Sequence, residues 1–250
     1  MQFRPSLLKE RSQFYKQEFS ISKARGFLKF SPQYFAIDPG TETRIIKNKK
    51  DFNTIISLNP NINLQKLKQQ LITNLPEDVY YDRNVYKDIK ICERLLNKGK
   101  KPDYNKSNIL CQELAFDLDS ENITCSKCKN NSILKVCIPC LEEAKQQTVQ
   151  LYKKLHNLNF KKLQIVYTGR GYHIHVFDKK AYSLSTEQRR RINKKLKDFA
   201  IDPWVSEGDV RLIRLPYTLN ALVSRIATHL SIKNMKEFNP INKSIPRFLK

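Results

Sequence analysis

The chain has 250 residues, 40% of them apolar, and its 46 Lys and Arg outnumber 24 Asp and Glu to leave a formal charge of +22 at pH 7. That length allows one large domain or two small ones with a genuine core, and the composition lies outside the disordered range. No run approaches the ~18 uninterrupted apolar residues of a membrane span, and Met1-Gln2-Phe3-Arg4-Pro5 opens no apolar signal segment. An integral membrane protein is thereby excluded. The expectation is a soluble intracellular protein, cytoplasmic or nucleoid-associated. The positive surplus attracts polyanions, nucleic acid foremost, although lysine-rich codon usage would raise the same count with no partner behind it.

In chain order, the pattern predicts a helix from Leu7 to Phe19, an extended Phe27–Phe30 and a turn at Pro39-Gly40. Leu64, Leu67, Leu71 and Leu75 recur at helical spacing until Pro76 stops them. A polar loop covers Gly99–Ser107 and a strand Gln112–Asp119. Four cysteines follow as Cys125-x2-Cys128-x8-Cys137-x2-Cys140. In a reducing compartment disulfides are disfavoured, and two CxxC pairs supply four thiolates for a closed, structural zinc site. Iron–sulfur binding, redox thiols or no metal are the alternatives, and Cys92 and Cys111 read as small hydrophobes.

A helix from Leu141 to Leu158 carries Leu141, Ala144, Leu151, Leu155 and Leu158 on one face. Strands flank Gly169–Gly171. A further helix, Thr186 to Phe199, opens on a Ser185/Gln188 capping box, with a core stripe of Ile192, Leu196 and Phe199. Its other face holds Arg189, Arg190, Arg191, Lys194, Lys195 and Lys197, a solvated surface or a phosphate contact. A strand over Val210–Leu215 ends at Pro216, and the tail beyond Asn239 is irregular. This mixture predicts an α+β or α/β catalytic domain with a small zinc module.

Three constellations carry chemistry. On the predicted strand Phe116-Asp117-Leu118-Asp119, the two-residue period puts Asp117 and Asp119 on one face, with Glu113 further back. Carboxylates one pleat apart repel unless a cation sits between them, and oxygen ligands suit Mg²⁺ or Mn²⁺; two solvated acids on an exposed edge are the plain alternative. Next, Thr168-Gly169-Arg170-Gly171-Tyr172-His173-Ile174-His175 spends two of only six glycines around one arginine, as a backbone does when it turns sharply or approaches a ligand. Arg170 is placed to reach a phosphate. His173 and His175 share a face, as surface histidines or as part of a Zn²⁺ site. Finally, Asp202 precedes the single Trp, and Arg211 and Arg214 lie three apart, so a regular strand sends only one of them toward any ligand. Together these residues suit phosphoryl transfer on a polyanion.

In this order the motifs resemble the catalytic small subunit of the archaeo-eukaryotic DNA primases. Glu113–Asp119 resembles the metal-binding strand, the four cysteines the zinc knuckle, and Thr168–Val176 the nucleotide-binding Ser-Gly…Arg-Gly-x-His motif. Asp202 with Arg211–Pro216 resembles the third-aspartate region. Arg25-Gly26-Phe27 is similar to an N-terminal Arg-Glu-Phe, and Val79-Tyr80-Tyr81 to a Tyr-Tyr segment.

The resemblance implies a mixed sheet flanked by helices, with residues 1–250 as one catalytic domain and 120–141 as an inserted zinc knuckle. It implies a DNA-dependent nucleotidyltransferase that makes short RNA or DNA primers on a single-stranded DNA template. Asp117, Asp119 and Asp202 would hold two Mg²⁺ or Mn²⁺ ions, and Cys125, Cys128, Cys137 and Cys140 a structural Zn²⁺. Nucleoside triphosphate contacts would come from Thr168, Gly169, Arg170, His173, Arg214 and Asn220, with Arg25 and Arg211 as weaker candidates. Implied partners are the template, the triphosphates and a primase large subunit or iron–sulfur domain in a separate chain or a missing segment. The chain departs from the family pattern after Pro216, where Asn220 replaces the usual histidine and Leu222 the usual lysine, with Arg225 nearby as a substitute cation. The alternatives are a repair or plasmid primase-polymerase and a catalytically weakened zinc-bearing nucleic-acid-binding subunit.

Overall fold

A computed structural model describes residues 3–30, 32–40, 56–58, 64–123, 125, 128 and 136–250. The loop between the second and third knuckle cysteines, 129–135, lies outside the described residues. Helices α1 (Leu8–Gln17) and α2 (Ile21–Phe27) come first. Then follow β1 (Phe35–Asp38), β2 (Ile56–Ser57), α3 (Leu64–Asn74), β3 (Asp78–Asp82), β4 (Asn84–Tyr86) and α4 (Ile89–Asn97). The middle of the chain forms β5 (Ile109–Gln112), β6 (Leu114–Asp119), α5 (Ile138–Asn157), β7 (Leu163–Tyr167) and β8 (Gly171–Val176). The last third forms α6 (Lys179–Tyr182), α7 (Thr186–Lys194), α8 (Pro203–Glu207), β9 (Leu212–Arg214), β10 (Leu219–Asn220), β11 (Arg225–Ile226), β12 (Thr228–Leu230) and α9 (Ile232–Met235).

The chain adopts the expected α+β class, with antiparallel sheets. One runs β2-β1-β3-β9 and another β12-β7-β8-β6, and two-stranded ribbons pair β4 with β5 and β10 with β11. Each large sheet has its own core. Helix α5 lays Leu141, Ala144, Leu151 and Leu155 on the second sheet, against Leu114, Phe116 and Leu118. Helices α1 and α3 bury Phe14, Tyr15, Leu67 and Leu71 against Phe35, Ile37, Val79 and Tyr81 of the first. Each large side chain buried this way contributes about 1.5–3 kcal/mol. Ala115 packs with the first core although its neighbours Leu114 and Phe116 pack with the second. The pleat of β6 therefore turns one face to each core.

Several expectations shift. Phe27 closes α2, so the extended stretch predicted at Phe27–Phe30 gives way to a strand that begins at Phe35. The strand predicted from Gln112 to Asp119 is two strands in different sheets, broken at Glu113. The buried Arg83 and Arg189 hold that crossing, at 2.9 Å from the Glu113 carbonyl and 2.7 Å from the Gln112 carbonyl respectively. Arg189, on the face read as solvated surface or phosphate contact, is instead buried, and loss of water pushes its pKa down to about 10. Helix α7 keeps its capping box but stops at Lys194, and Leu196 reaches the core from the turn beyond.

Gly171 opens β8 directly beside β6. A Cβ there would collide with the Leu118 carbonyl and lie 2.7 Å from the Asp119 Cα, both backbone atoms that cannot swing aside. Gly26, inside α2, has nothing within 4 Å of the same position. Gly171→Ala is expected to destabilise the fold by about 1–3 kcal/mol, and Gly26→Ala to stabilise it by about 0.5–1 kcal/mol. Denaturant unfolding of both variants checks this pair of opposite signs.

Candidate active site

Alternation along β6 carries the face of Ala115 forward to Asp117 and Asp119. In the β6–β8 register, Asp117 faces His173 and Asp119 faces Gly171. The absent side chain at Gly171 matters here too, because a Cβ would press within 2.7 Å of Asp119 Oδ1. Asp202, more than eighty positions downstream in the numbering, arrives by a backbone bond: its N–H donates to the Asp117 carbonyl at 2.9 Å. Its carboxylate caps the five-residue α8, accepting from the Trp204 N–H at 2.8 Å. Arg83 clamps α8 from below, donating to the carbonyls of Val205 and Val210.

These groups share a cavity of about 300 Å³ whose wall includes Asp117, Asp119, Asp202, Thr168, Arg170, His173, Arg214 and Asn220, together with Asp78 and Tyr80. Burial, then the neighbouring Asp202, pushes the Asp117 carboxyl up to about 7. Burial, then Asp117, does the same to Asp119. Burial holds His173 neutral by lowering its pKa to about 3. Its Nε2 lies 3.4 Å from Asp117 Oδ1, yet that oxygen accepts no hydrogen bond and His173 Nδ1 makes none. A partially desolvated cluster of carboxylates with an orphaned oxygen is a place where a hard divalent cation relieves a standing penalty. The three carboxylates are spread around the cavity; among the described residues only the four cysteines bring all their ligand atoms within 4.8 Å of one another.

The β7–β8 loop is tight. The Thr168 N–H donates to the Gly171 carbonyl at 3.0 Å, and the Gly171 N–H to Thr168 Oγ1 at 3.1 Å. Gly169 takes φ +102°, open to glycine, and a Cβ there would strike Val223 and Asn220. Asn220 pins the loop from the other side, Nδ2 to the Thr168 carbonyl at 3.0 Å, and its buried Oδ1 has no partner. Arg170 is paired with Glu121, and Arg214 with Asp78.

Three arginines offered as phosphate ligands lie off this wall. Arg211, just before β9, does not line the cavity: it is buried and tied to Asp82 at 2.5 Å and Asp103 at 3.4 Å, on the other side from Arg214. Arg25 stands on the exposed face of α2 and is likewise absent from the cavity wall. Arg225 is fully buried, giving its guanidinium to the carbonyls of Val223, Ser224, Pro240 and Ile241, so it does not replace the lysine after Pro216. Among the described residues no third ligand joins the histidine pair closely enough to complete a metal site. His175 Nδ1 sits 2.7 Å from Glu113 Oε1, and Tyr81 donates to Glu113 Oε2 at 2.8 Å, a buried network beneath the cavity. Asp78 and Tyr80 were missed as site residues, since nothing in the local pattern tells which face of β3 meets β9.

Away from the cavity, Cys125, Cys128, Cys137 and Cys140 converge, with sulfurs 3.2–3.6 Å apart along three edges. Cys137 immediately precedes α5, and Cys140 lies in its first turn. Four thiolates at that spacing can hold a tetrahedral metal such as zinc.

The sequence model of a family described as DNA primase small subunit matches residues 116–248. A chain of Archaeoglobus fulgidus described as an uncharacterized DNA primase small subunit-like protein is 40% identical, over 98% of this chain and 91% of its own length. The DNA primase small subunits PriS of Pyrobaculum calidifontis and Thermococcus sibiricus are 29% and 24% identical, over 56% and 76% of this chain but 42% and 49% of theirs. The matched region thus spans less than half the length of these two relatives. Among solved structures, the polymerase domain of Mycobacterium tuberculosis ligase D, in complex with DNA, is similar with a TM-score of 0.52 over 95% of this chain and 83% of that one, at 11% identity. That likeness is one of fold.

The raised carboxyls have a thermodynamic consequence. Asp117 and Asp119 titrate near 7 when folded and near 4 when unfolded, so between those values the folded chain binds more protons and these groups lose stability as pH rises. His173 acts oppositely, destabilising as pH falls below its unfolded value of about 6.5, so only a variant isolates the carboxylates. Without added Mg²⁺ or Mn²⁺, Asp119→Asn is expected to stabilise the protein by about 1–2 kcal/mol at pH 8 and by nothing at pH 4. Urea unfolding at both pH values checks it; an equal effect at both would contradict the burial argument.

Proposed function

The chain belongs to the DNA primase small subunit family, and on that premise we propose that its carboxylate cavity joins nucleotides on a single-stranded DNA template to make short RNA or DNA primers. The observation that supports this reading is the Asp202 N–H bonded to the Asp117 carbonyl, which brings an acid distant in sequence to the two acids of β6, beside His173 and Arg214. Asp117, Asp119 and Asp202 would hold Mg²⁺ or Mn²⁺. A pair of such ions supplies activation of the attacking 3′-hydroxyl and neutralises charge on the triphosphate and departing pyrophosphate.

The chain's own residues orient the nucleotide. Arg170 and Arg214 each share their charge with one acid, Glu121 and Asp78, which leaves them aligned at the cavity wall to take phosphate oxygens. His173 is neutral at working pH, so it contributes a hydrogen bond rather than a charge. Thr168 and Gly169 present a tight loop that a backbone or phosphate can approach closely, and Asn220 Oδ1 offers an unused acceptor beside it. Zn²⁺ in the cysteine cluster would be structural, with 120–141 a module inserted in one catalytic domain. An intracellular setting and a large-subunit or iron–sulfur partner complete the proposal. Among the described residues no helix is long and apolar enough to cross a membrane.

The test is incorporation of labelled nucleotide on single-stranded DNA with Mg²⁺ or Mn²⁺. Asp117→Ala and Asp119→Ala are expected to lower the rate at least about 100-fold while oligonucleotide affinity persists. Unchanged synthesis in both would remove the metal assignment; inactivity of the unmodified chain with intact DNA binding would favour the catalytically weakened reading, toward which Asn220 and the internally spent Arg225 point. For the cysteine cluster, metal analysis should find one zinc per chain, and Cys125→Ser should lower the thermal midpoint by about 5–10 °C. A metal-free protein of full stability would overturn the zinc assignment.

A further inference from the structure

We propose that Trp204 is a base-stacking platform for the single-stranded template at the rim of the carboxylate cavity, with Lys194, Lys195 and Lys197 receiving the adjoining phosphates. This deepens the primase reading and rests on it. Trp204 is the only tryptophan of the chain and is 67% exposed. An indole left in water forgoes the largest burial energy any side chain can gain, so such exposure calls for a partner. Leu7, Tyr104, Leu110 and Ile138 are also large and exposed, but they do not adjoin the cavity. Trp204 stands in the chain between Asp202 and Val205, which line the wall, while its own ring lies outside that lining in water.

Its backbone is fixed from three directions. The Trp204 N–H donates to Asp202 Oδ1 at 2.8 Å, its carbonyl accepts from the Val210 N–H at 3.1 Å, and the next carbonyl is held by Arg83. A flat ring on a rigid mount costs little conformational entropy to engage, as base stacking requires. Asp202, Glu207 and Asp209 are the charges nearest Trp204 in the chain, and positive charge comes from the helix packed on α8. Helix α7 is joined to α8 by Asn193 to Ser206 at 2.8 Å and Arg190 to Glu207 at 2.9 Å. Beyond those ties Lys194, Lys195 and Lys197 are exposed, with Asp198 the one acid among them. An aromatic face beside free ammonium groups is the pairing that binds single strands without reading their sequence.

A single tryptophan makes the test direct. Full-length protein without added Mg²⁺ or Mn²⁺ is titrated with a single-stranded oligodeoxynucleotide of about 16 nucleotides and with an abasic strand of equal length. Stacking predicts that tryptophan emission is quenched by the first and not by the second. Trp204→Ala should weaken the normal strand roughly tenfold by fluorescence anisotropy of labelled DNA and leave the abasic affinity unchanged, and Trp204→Phe should recover most of the loss. Binding without quenching, or equal weakening of both strands in Trp204→Ala, would overturn the platform. Nucleotide incorporation by the unmodified chain separates the two readings. Synthesis without the stacking signature defeats this inference alone, whereas the signature without synthesis defeats the catalytic reading and leaves the platform standing.

Discussion

Two acids one pleat apart on a strand that faces a core is an arrangement a fold avoids unless something else needs it. On β6 the face that begins with Ala115, packed in the first core, continues into Asp117 and Asp119 at its open end. Burial pushes both carboxyls up to about 7, with Asp202 adding to the effect at Asp117 and Asp117 adding to it at Asp119, a penalty carried by every other contact in the chain. Such strain persists only where the surrounding structure over-determines it. Here the determinants are the long β6–β8 pairing, the glycine that lets Asp119 sit close to β8, and the Asp202 N–H seated on the Asp117 carbonyl.

Support beneath the cavity is polar and almost wholly buried. Glu113 receives Tyr81 and His175 on its carboxylate and Arg83 on its carbonyl. Arg83 also reaches the two carbonyls that hold α8. One guanidinium thus ties the crossing between β5 and β6 to the helix that presents the third acid. Networks of this kind are high-stakes: satisfied, they rigidify a site, and with one member removed they leave a buried charge uncompensated.

The strongly basic composition divides into two populations. Arg11, Arg83, Arg189, Arg211 and Arg225 are buried, and their charge is consumed by carbonyls and carboxylates. The lysines of α7 and the turn after it remain in water. Arginine suits the first role because its planar fork satisfies several acceptors at once, and lysine suits the second because its ammonium stays hydrated. A net charge read from composition therefore overstates the part of it available to a polyanion.

The amino-acid sequence by itself determined whatever depends on spacing along a single element. The β period of two put Asp117 with Asp119, the helical stripe placed α5 and α3, the Ser185/Gln188 pair capped α7, and the CxxC pairs marked the cysteine cluster. Those rules are local because backbone geometry is. Only the tertiary structure decided what depends on which elements meet. It turned Arg214 toward the cavity and Arg211 away, drew Arg189 and Arg225 inside, broke the strand at Glu113, and brought Asp78 and Tyr80 to the site across the β3–β9 pairing. A side chain's face on its own strand is written in the period of the backbone, whereas the identity of what lies opposite is a property of sheet order, which no local pattern encodes.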